Sequence, residues 1–212
     1  MSKNTVIERD IVLGYREARV HDREVWRRVI LDAAGRILGQ EGISELTMRR
    51  LAREVDCSTT VLYTMFGSKE GLVGELYREG FARLQRAFEE IPRDEYPFAY
   101  LRSLGRAYRA NALANPTYYA VMFERAIPGF TPPDAGRMRG HLSFQMLVDA
   151  VRACIDAGAR TIGSPEEIAD LLWTAVHGMV GLELAGYFPD PDEARQRFEL
   201  MLRSVEHGMI HE

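Results

Sequence analysis

The sequence has no run of about 18 consecutive apolar residues, so it holds no candidate membrane-spanning helix. Its opening stretch, MSKNTVIERDIVLGYREARV, is charged throughout and lacks the apolar core of a signal peptide. Cysteine is scarce. Cys57 and Cys154 are the only two, with no metal-type spacing to each other or to the five histidines. This argues against a disulfide framework and fits a reducing cytoplasm. HExxH, P-loop, GxSxG and glycine-rich dinucleotide signatures are missing as well, so no catalytic centre, metal or cofactor is expected. The adjacent pairs Glu89-Glu90 and Glu166-Glu167 lie near helix ends and read as caps or solvated charge. A strong basic surplus is also lacking: the net charge is −4, which argues against a general nucleic-acid binder. The charge is uneven, however. Residues 1–72 carry 12 Lys+Arg against 11 Asp+Glu, and residues 73–212 carry 15 against 20. A near-neutral head on an acidic body still allows a local patch that meets DNA.

What is present is helical periodicity in a chain of 212 residues, 46% hydrophobic and long enough to bury a core unaided. Sustained strand alternation is absent, so the expected class is all-α. Thr5 with Glu8 forms a candidate capping box that would open a short helix. A helix over about 22–40 carries Val25, Val29, Ile30, Ala33, Ala34, Ile37 and Leu38 at helical spacing, with Gly42 as its C-terminal cap. Thr47, Ser58 and Ser68 cap the next three helices, the last running to about Glu90. Asp56 sits in a turn that needs left-handed backbone. Later helices are expected at 98–114, 117–126, 134–157, 165–187 and 191–209. Ser164-Pro165-Glu166-Glu167 and Asp190-Pro191-Asp192-Glu193 mark two starts by cap, proline and glutamate. Residues 127–133, IPGFTPP, read as a loop.

Residues 47–63 have the layout of a helix-turn-helix, a shape that also occurs as a plain packing corner. The first helix carries Arg49, Arg50 and Arg53, and Val55-Asp56-Cys57 forms the turn. The second begins Ser58-Thr59-Thr60-Val61-Leu62-Tyr63-Thr64. Small hydroxyl residues at a helix start can approach base edges, and the helix N-terminus favours phosphate. Val61 could pack on a thymine methyl. Tyr63 offers a hydroxyl at phosphate distance. Lys69, in the first turn of the next helix, can hold a phosphate together with the free amide end. Cys57 reads as a small apolar residue packed under the second helix, with no redox role.

Residues 26–72 resemble the DNA-binding domain of the TetR-type repressor family. The matching features are WRRVILDAAGRILGQEG, Leu46-Thr47, Leu51-Ala52 and LYTMFGSKEGL at 62–72, above all the Tyr63-x-x-Phe66-x-x-Lys69 spacing. The resemblance implies that Thr47, Arg49, Tyr63 and Lys69 hold the DNA backbone. It implies that Thr59, Thr60, Val61 and Thr64 face bases or nearby phosphates, with Phe66 in the core. Asp56 and Thr60 stand where glycine is frequent in the family, so base preference does not carry over. Trp173-x-x-x-His177-Gly178 is similar to the C-terminal domain of one branch of that family.

The domain plan that follows is an N-terminal extension at 1–21, a three-helix head at 22–72, and an effector-binding and dimerisation body at 73–212. Large apolar side chains in the body suit a pocket for a mostly apolar ligand, and equally an ordinary core. The pocket candidates are Phe98, Leu101, Tyr108, Tyr119, Met122, Phe123, Phe144, Trp173 and His177. The last two helices should be antiparallel neighbours. Ile168, Leu171, Leu172, Phe198, Met201, Leu202 and Val205 offer more apolar surface than one hairpin can bury, which suggests a symmetric dimer. The expected partners are a double-stranded DNA operator, a second copy of the chain and a small apolar effector, in a cytoplasmic, nucleoid-associated regulator. An adaptor on the same fold and a small all-helical enzyme remain as alternatives. Arg9, Arg16, Arg19 and Arg23 in and beside the extension either extend the DNA contact or pack on the head.

Overall fold

The computed structural model describes residues 23–92, 96–124, 127–132 and 134–211. The expected Thr5–Glu8 capping box and the 1–21 extension lie outside them. Helix α1 covers residues 23–41. It is followed by α2 (Met48–Glu54), α3 (Thr59–Phe66), α4 (Lys69–Glu89), α5 (Pro97–Ala114), α6 (Pro116–Phe123), α7 (Asp134–Asp156), α8 (Pro165–Leu184) and α9 (Pro191–Met209). The chain divides into two compact units between Leu76 and Tyr77, inside α4. The sequence reading sets its boundary after residue 72; a continuous helix carries no turn residues to mark one.

In the first unit, α1 buries Ile30, Leu31, Ala33, Ala34 and Ile37, and these meet Leu46, Leu51, Leu62, Leu72 and Leu76 in one core. Val25 and Val29, which share the helical spacing, are exposed. Three hydroxyls organise the starts of α2 to α4. Thr47 Oγ1 accepts from Arg50 N at 3.1 Å, Ser58 Oγ from Val61 N at 3.4 Å and Ser68 Oγ from Gly71 N at 3.1 Å. Each satisfies an amide left over by helix geometry. Asp56 takes φ 50° between α2 and α3, and Gly67 takes φ 73° after α3. Short polar side chains and glycine are the residues that tolerate that region.

In the second unit, α5, α7, α8 and α9 pack against one another. Leu104, Val148, Val151, Cys154, Ile168, Val180 and Phe198 are buried among them. Helix α8 opens on a full capping box, with Ser164 Oγ accepting from Glu167 N and Glu167 Oε2 accepting from Ser164 N. It stops at Leu184, short of the expected Tyr187, because Gly186 turns left-handed at φ 82° and its amide bonds back to Glu183 O. Helix α6 likewise ends at Phe123, before the expected Ala126. One antiparallel bridge appears that the sequence does not announce, β1 (Arg160–Thr161) against β2 (Ile210–His211). Two-residue strands are too short to show alternation.

Arginines on α5 tie it to the last two helices. Arg102 reaches Glu206 at 2.7 Å, while Arg106 grips Glu199 at 2.7 and 2.8 Å. Arg109 grips Glu183 at 2.7 and 2.6 Å. The last two are bidentate pairs, the geometry in which a guanidinium binds carboxylate best. Among the described residues, no helix is long and apolar enough to cross a membrane.

Candidate nucleic-acid interface and body cavity

The helix-turn-helix is formed by α2 and α3, with Leu62 and Phe66 turned into the head. The opposite face of α3 is left to solvent. Thr60 and Thr64 are exposed, Val61 is 44% exposed and Tyr63 is 52% exposed. An apolar and an aromatic side chain thus lie exposed close together on one short helix. Arg49 and Thr47 are exposed on and before α2, and Thr59 is half-buried.

Several hydroxyls are committed locally. Ser58 and Thr47 spend an oxygen on their capping bonds, and Thr64 Oγ1 donates to Thr60 O at 2.8 Å. Arg50 is held by Glu54 at 2.7 Å and Glu41 at 2.8 Å, so it adds little outward charge. Lys69 Nζ donates to Ile43 O at 2.8 Å. That bond staples the start of α4 to the loop after α1. An ammonium has three donors, so two remain for another acceptor. Cys57 is half-buried and its thiol donates to Ser58 O at 3.5 Å. Burial, with Asp56 beside it, raises its pKa.

The body holds a cavity of about 540 Å³. Among the expected pocket residues, Leu101, Tyr108, Met122, Phe123, Phe144 and Trp173 line it. Phe98, Tyr119 and His177 are not among its lining residues. Phe98 is buried one turn before Leu101, with its ring 5.5 Å from that of Tyr96. His177 and Tyr119 support the wall from behind. His177 Nδ1 lies 2.9 Å from the Tyr108 hydroxyl and 3.0 Å from the Tyr119 hydroxyl. The imidazole is ringed by Phe123 at 4.9 Å and Trp173 at 5.6 Å between centroids. Burial lowers the pKa of His177, pushes Tyr119 up to about 12 and raises Tyr108 further. The three rings therefore form a neutral network at near-neutral pH. Periodicity placed His177 on the right helix but could not tell a wall residue from its support.

The cavity also draws on residues the sequence reading missed. Tyr77 and Phe81 come from α4, while Arg102, Arg137, His141, Asp170 and Glu206 bring charge or polarity to its wall. These lie in charged stretches where no apolar signal singles them out. The dimer expectation also needs correction. Ile168, Leu172, Phe198 and Leu202 are buried within the protomer, and Leu172 and Leu202 line the cavity. They belong to the inward stripe of α8 and α9, which periodicity cannot separate from an outward one. Leu171 is 44% exposed, and Met201 and Val205 are half-buried.

Comparison with known proteins agrees with this geometry. Residues 30–76 match the family described as bacterial regulatory proteins of the tetR family. Residues 101–205 match the tetracyclin repressor-like C-terminal domain. A curated relative is the HTH-type transcriptional regulator Rv1816 of Mycobacterium tuberculosis. It is 22% identical over 196 residues, covering 78% of this chain and 83% of the relative. A solved structure of a Rhodococcus sp. RHA1 protein of unknown function is 28% identical with a TM-score of 0.72, covering 86% and 94% of the two chains. The TetR family regulator PfmR of Thermus thermophilus shares the fold at 21% identity and a TM-score of 0.66, covering 82% and 97%. The family and these named regulators act in transcription rather than as enzymes. The chain belongs to the TetR family of transcriptional regulators.

Proposed function

We propose that the protein is a homodimeric repressor that leaves its operator when a mostly apolar small molecule enters the body. The observation that carries the reading is the solvent face of α3, where Thr60, Val61 and Tyr63 stand exposed on a helix that Ser58 caps. Such a face fits the major groove: a methyl-bearing side chain meets thymine, and hydroxyls meet bases or phosphates. Arg49, Tyr63 and two remaining donors of Lys69 hold the backbone, with Thr47, Ser58, Thr59 and Thr64 around them. The division into a DNA-reading head at 22–72 and a sensing and pairing body at 73–212 belongs to the same reading.

Two heads bind half-sites about 34–36 Å apart, or a multiple of a helical turn, as a symmetric dimer requires. The pairing surface is the outward side of α8 and α9, where Leu171 and Leu200 are exposed. The ligand acts by binding the DNA-incompetent arrangement more tightly than the competent one, the only way a ligand shifts such an equilibrium.

Selection from random DNA tests the reading. The dimer should enrich a palindromic site. Arg49→Ala should then weaken binding to all sequences and flatten its salt dependence by about one phosphate contact, while Tyr63→Ala, which removes no charge, should weaken binding to all sequences with the salt slope kept. Failure to enrich any sequence would sink the operator reading. A salt slope unchanged in Arg49→Ala, or an affinity unchanged in Tyr63→Ala, would remove that side chain from the phosphates.

A further inference from the structure

We infer that glycines of the second unit set the girth of its cavity, and so admit a bulky, ring-built apolar effector that alanine at the same positions would shut out. This rests on the cavity being an effector site and adds the shape class of its occupant and the residues that select it. Tyr77 and Phe81 lie one turn apart on α4, and both line the cavity. Their rings rest on Gly136 and Gly140, one turn apart on α7. A Cβ on Gly136 would meet Tyr77 Cδ1 at 2.8 Å, and one on Gly140 would meet Phe81 Cζ at 3.2 Å. Two more lining side chains are drawn back in the same way. Met122 lies over Gly80, where a Cβ would meet its Sδ at 2.5 Å. Leu202 lies over Gly105, where a Cβ would meet its Cδ2 at 2.8 Å. Glycine is a weaker helix former than alanine, and here the space of its missing side chain is taken by a group from a neighbouring helix.

The direction in which these side chains yield follows from the packing. Tyr77 and Phe81 are buried with ring centroids 5.1 Å apart, and the ring of Phe123 stands 5.6 Å from that of Phe81. Close-packed neighbours resist displacement, whereas an open cavity does not. A methyl group on Gly136 or Gly140 therefore tilts a ring toward the cavity and narrows it. Met122 and Leu202 end in flexible chains that can swing aside by rotamer, so the two rings of α4 are the stricter pair. The remaining wall suits a ring system: Phe123, Phe144 and Trp173 add flat aromatic faces around a space of about 540 Å³. A straight alkyl chain needs only a thin channel, while a cage of fused rings needs the full width.

Calorimetric titration of the full chain with adamantanol and decanol tests the assignment. The two carry equal numbers of carbons and a single hydroxyl, and they differ in girth. The unaltered protein should bind both. Gly140→Ala should lower the affinity for adamantanol relative to decanol by about tenfold, within the range of a methyl group forced into a packed site. A ratio of two affinities is not moved by a general loss of stability. Adding Phe81→Leu to Gly140→Ala removes the obstructing ring and should restore the ratio. Gly208→Ala, where nothing lies within 4 Å of the added Cβ, should leave it unchanged. A melting curve reports whether Gly140→Ala folds. If it does not, Phe81→Leu alone decides, because a wider cavity should shift the ratio toward adamantanol. Decanol bound without adamantanol, a folded Gly140→Ala with the parental ratio, or a Phe81→Leu ratio that does not rise would overturn the girth assignment while leaving the cavity reading intact. Binding of neither probe would remove both.

Discussion

His177 illustrates how a single side chain is set by its surroundings. Burial lowers its pKa below the ordinary 6.5, and its Nδ1 lies within hydrogen-bond distance of the Tyr108 and Tyr119 hydroxyls. A histidine whose folded pKa is depressed contributes no penalty while both states are neutral. As pH falls below about 6.5 the unfolded chain takes up the proton first, so stability is lost from there down through the lowered folded value. Melting temperature should therefore drop between about pH 7 and pH 5 more steeply in the parent protein than in His177→Gln. Parallel pH profiles for the two would show that this ring is not the titrating group. Asp56 is a second residue-scale case. The sequence marked its turn as left-handed, and φ is 50°. That was legible because few residue types tolerate the region.

At the scale of elements, the starts of helices were read closely and their ends less so. Ser164 and Glu167 close their capping box as the spacing expects, and Ser58 caps α3. Replacing Ser164 with Ala should destabilise the body by about 1 kcal/mol, read as a lower midpoint in urea. An unchanged midpoint would mean that α8 is held by packing alone. Caps are local chemistry and visible in a few residues. The salt links from α5 to α8 and α9 are not, because Arg102, Arg106 and Arg109 meet partners 104, 93 and 74 positions away. The same limit hid Glu206 from the pocket prediction, since a lone acidic residue near a chain end looks solvated until its neighbours are known. Gly105 shows how close these helices run: a Cβ there would meet Leu202 Cδ2 at 2.8 Å.

At the scale of the molecule, family and fold were legible because the 62–72 stretch and the helical spacing are long and specific. The inward and outward stripes of α8 and α9 were not. Spacing gathers the apolar residues of each helix without saying whether they face the protomer's own core or a second chain, so Ile168 and Phe198 read as surface while packing inside. Leu171 and Leu200 remain as the outward pair, at 44% and 59% exposure. Leu200→Glu should shift the sedimenting species toward monomer and lower operator affinity at least about tenfold, since each half-site then binds alone. A dimer that persists with unchanged affinity would move the interface off this face. The two cysteines give the molecule one more property. Cys57 is half-buried in the head turn, whereas Cys154 is fully buried in the body and its thiol is held protonated up to about 11. A thiol-reactive dye would therefore mark the head of the native protein first and reach the body only when α7 opens. The chain carries its own clock for the loosening of its second unit, with no added label site.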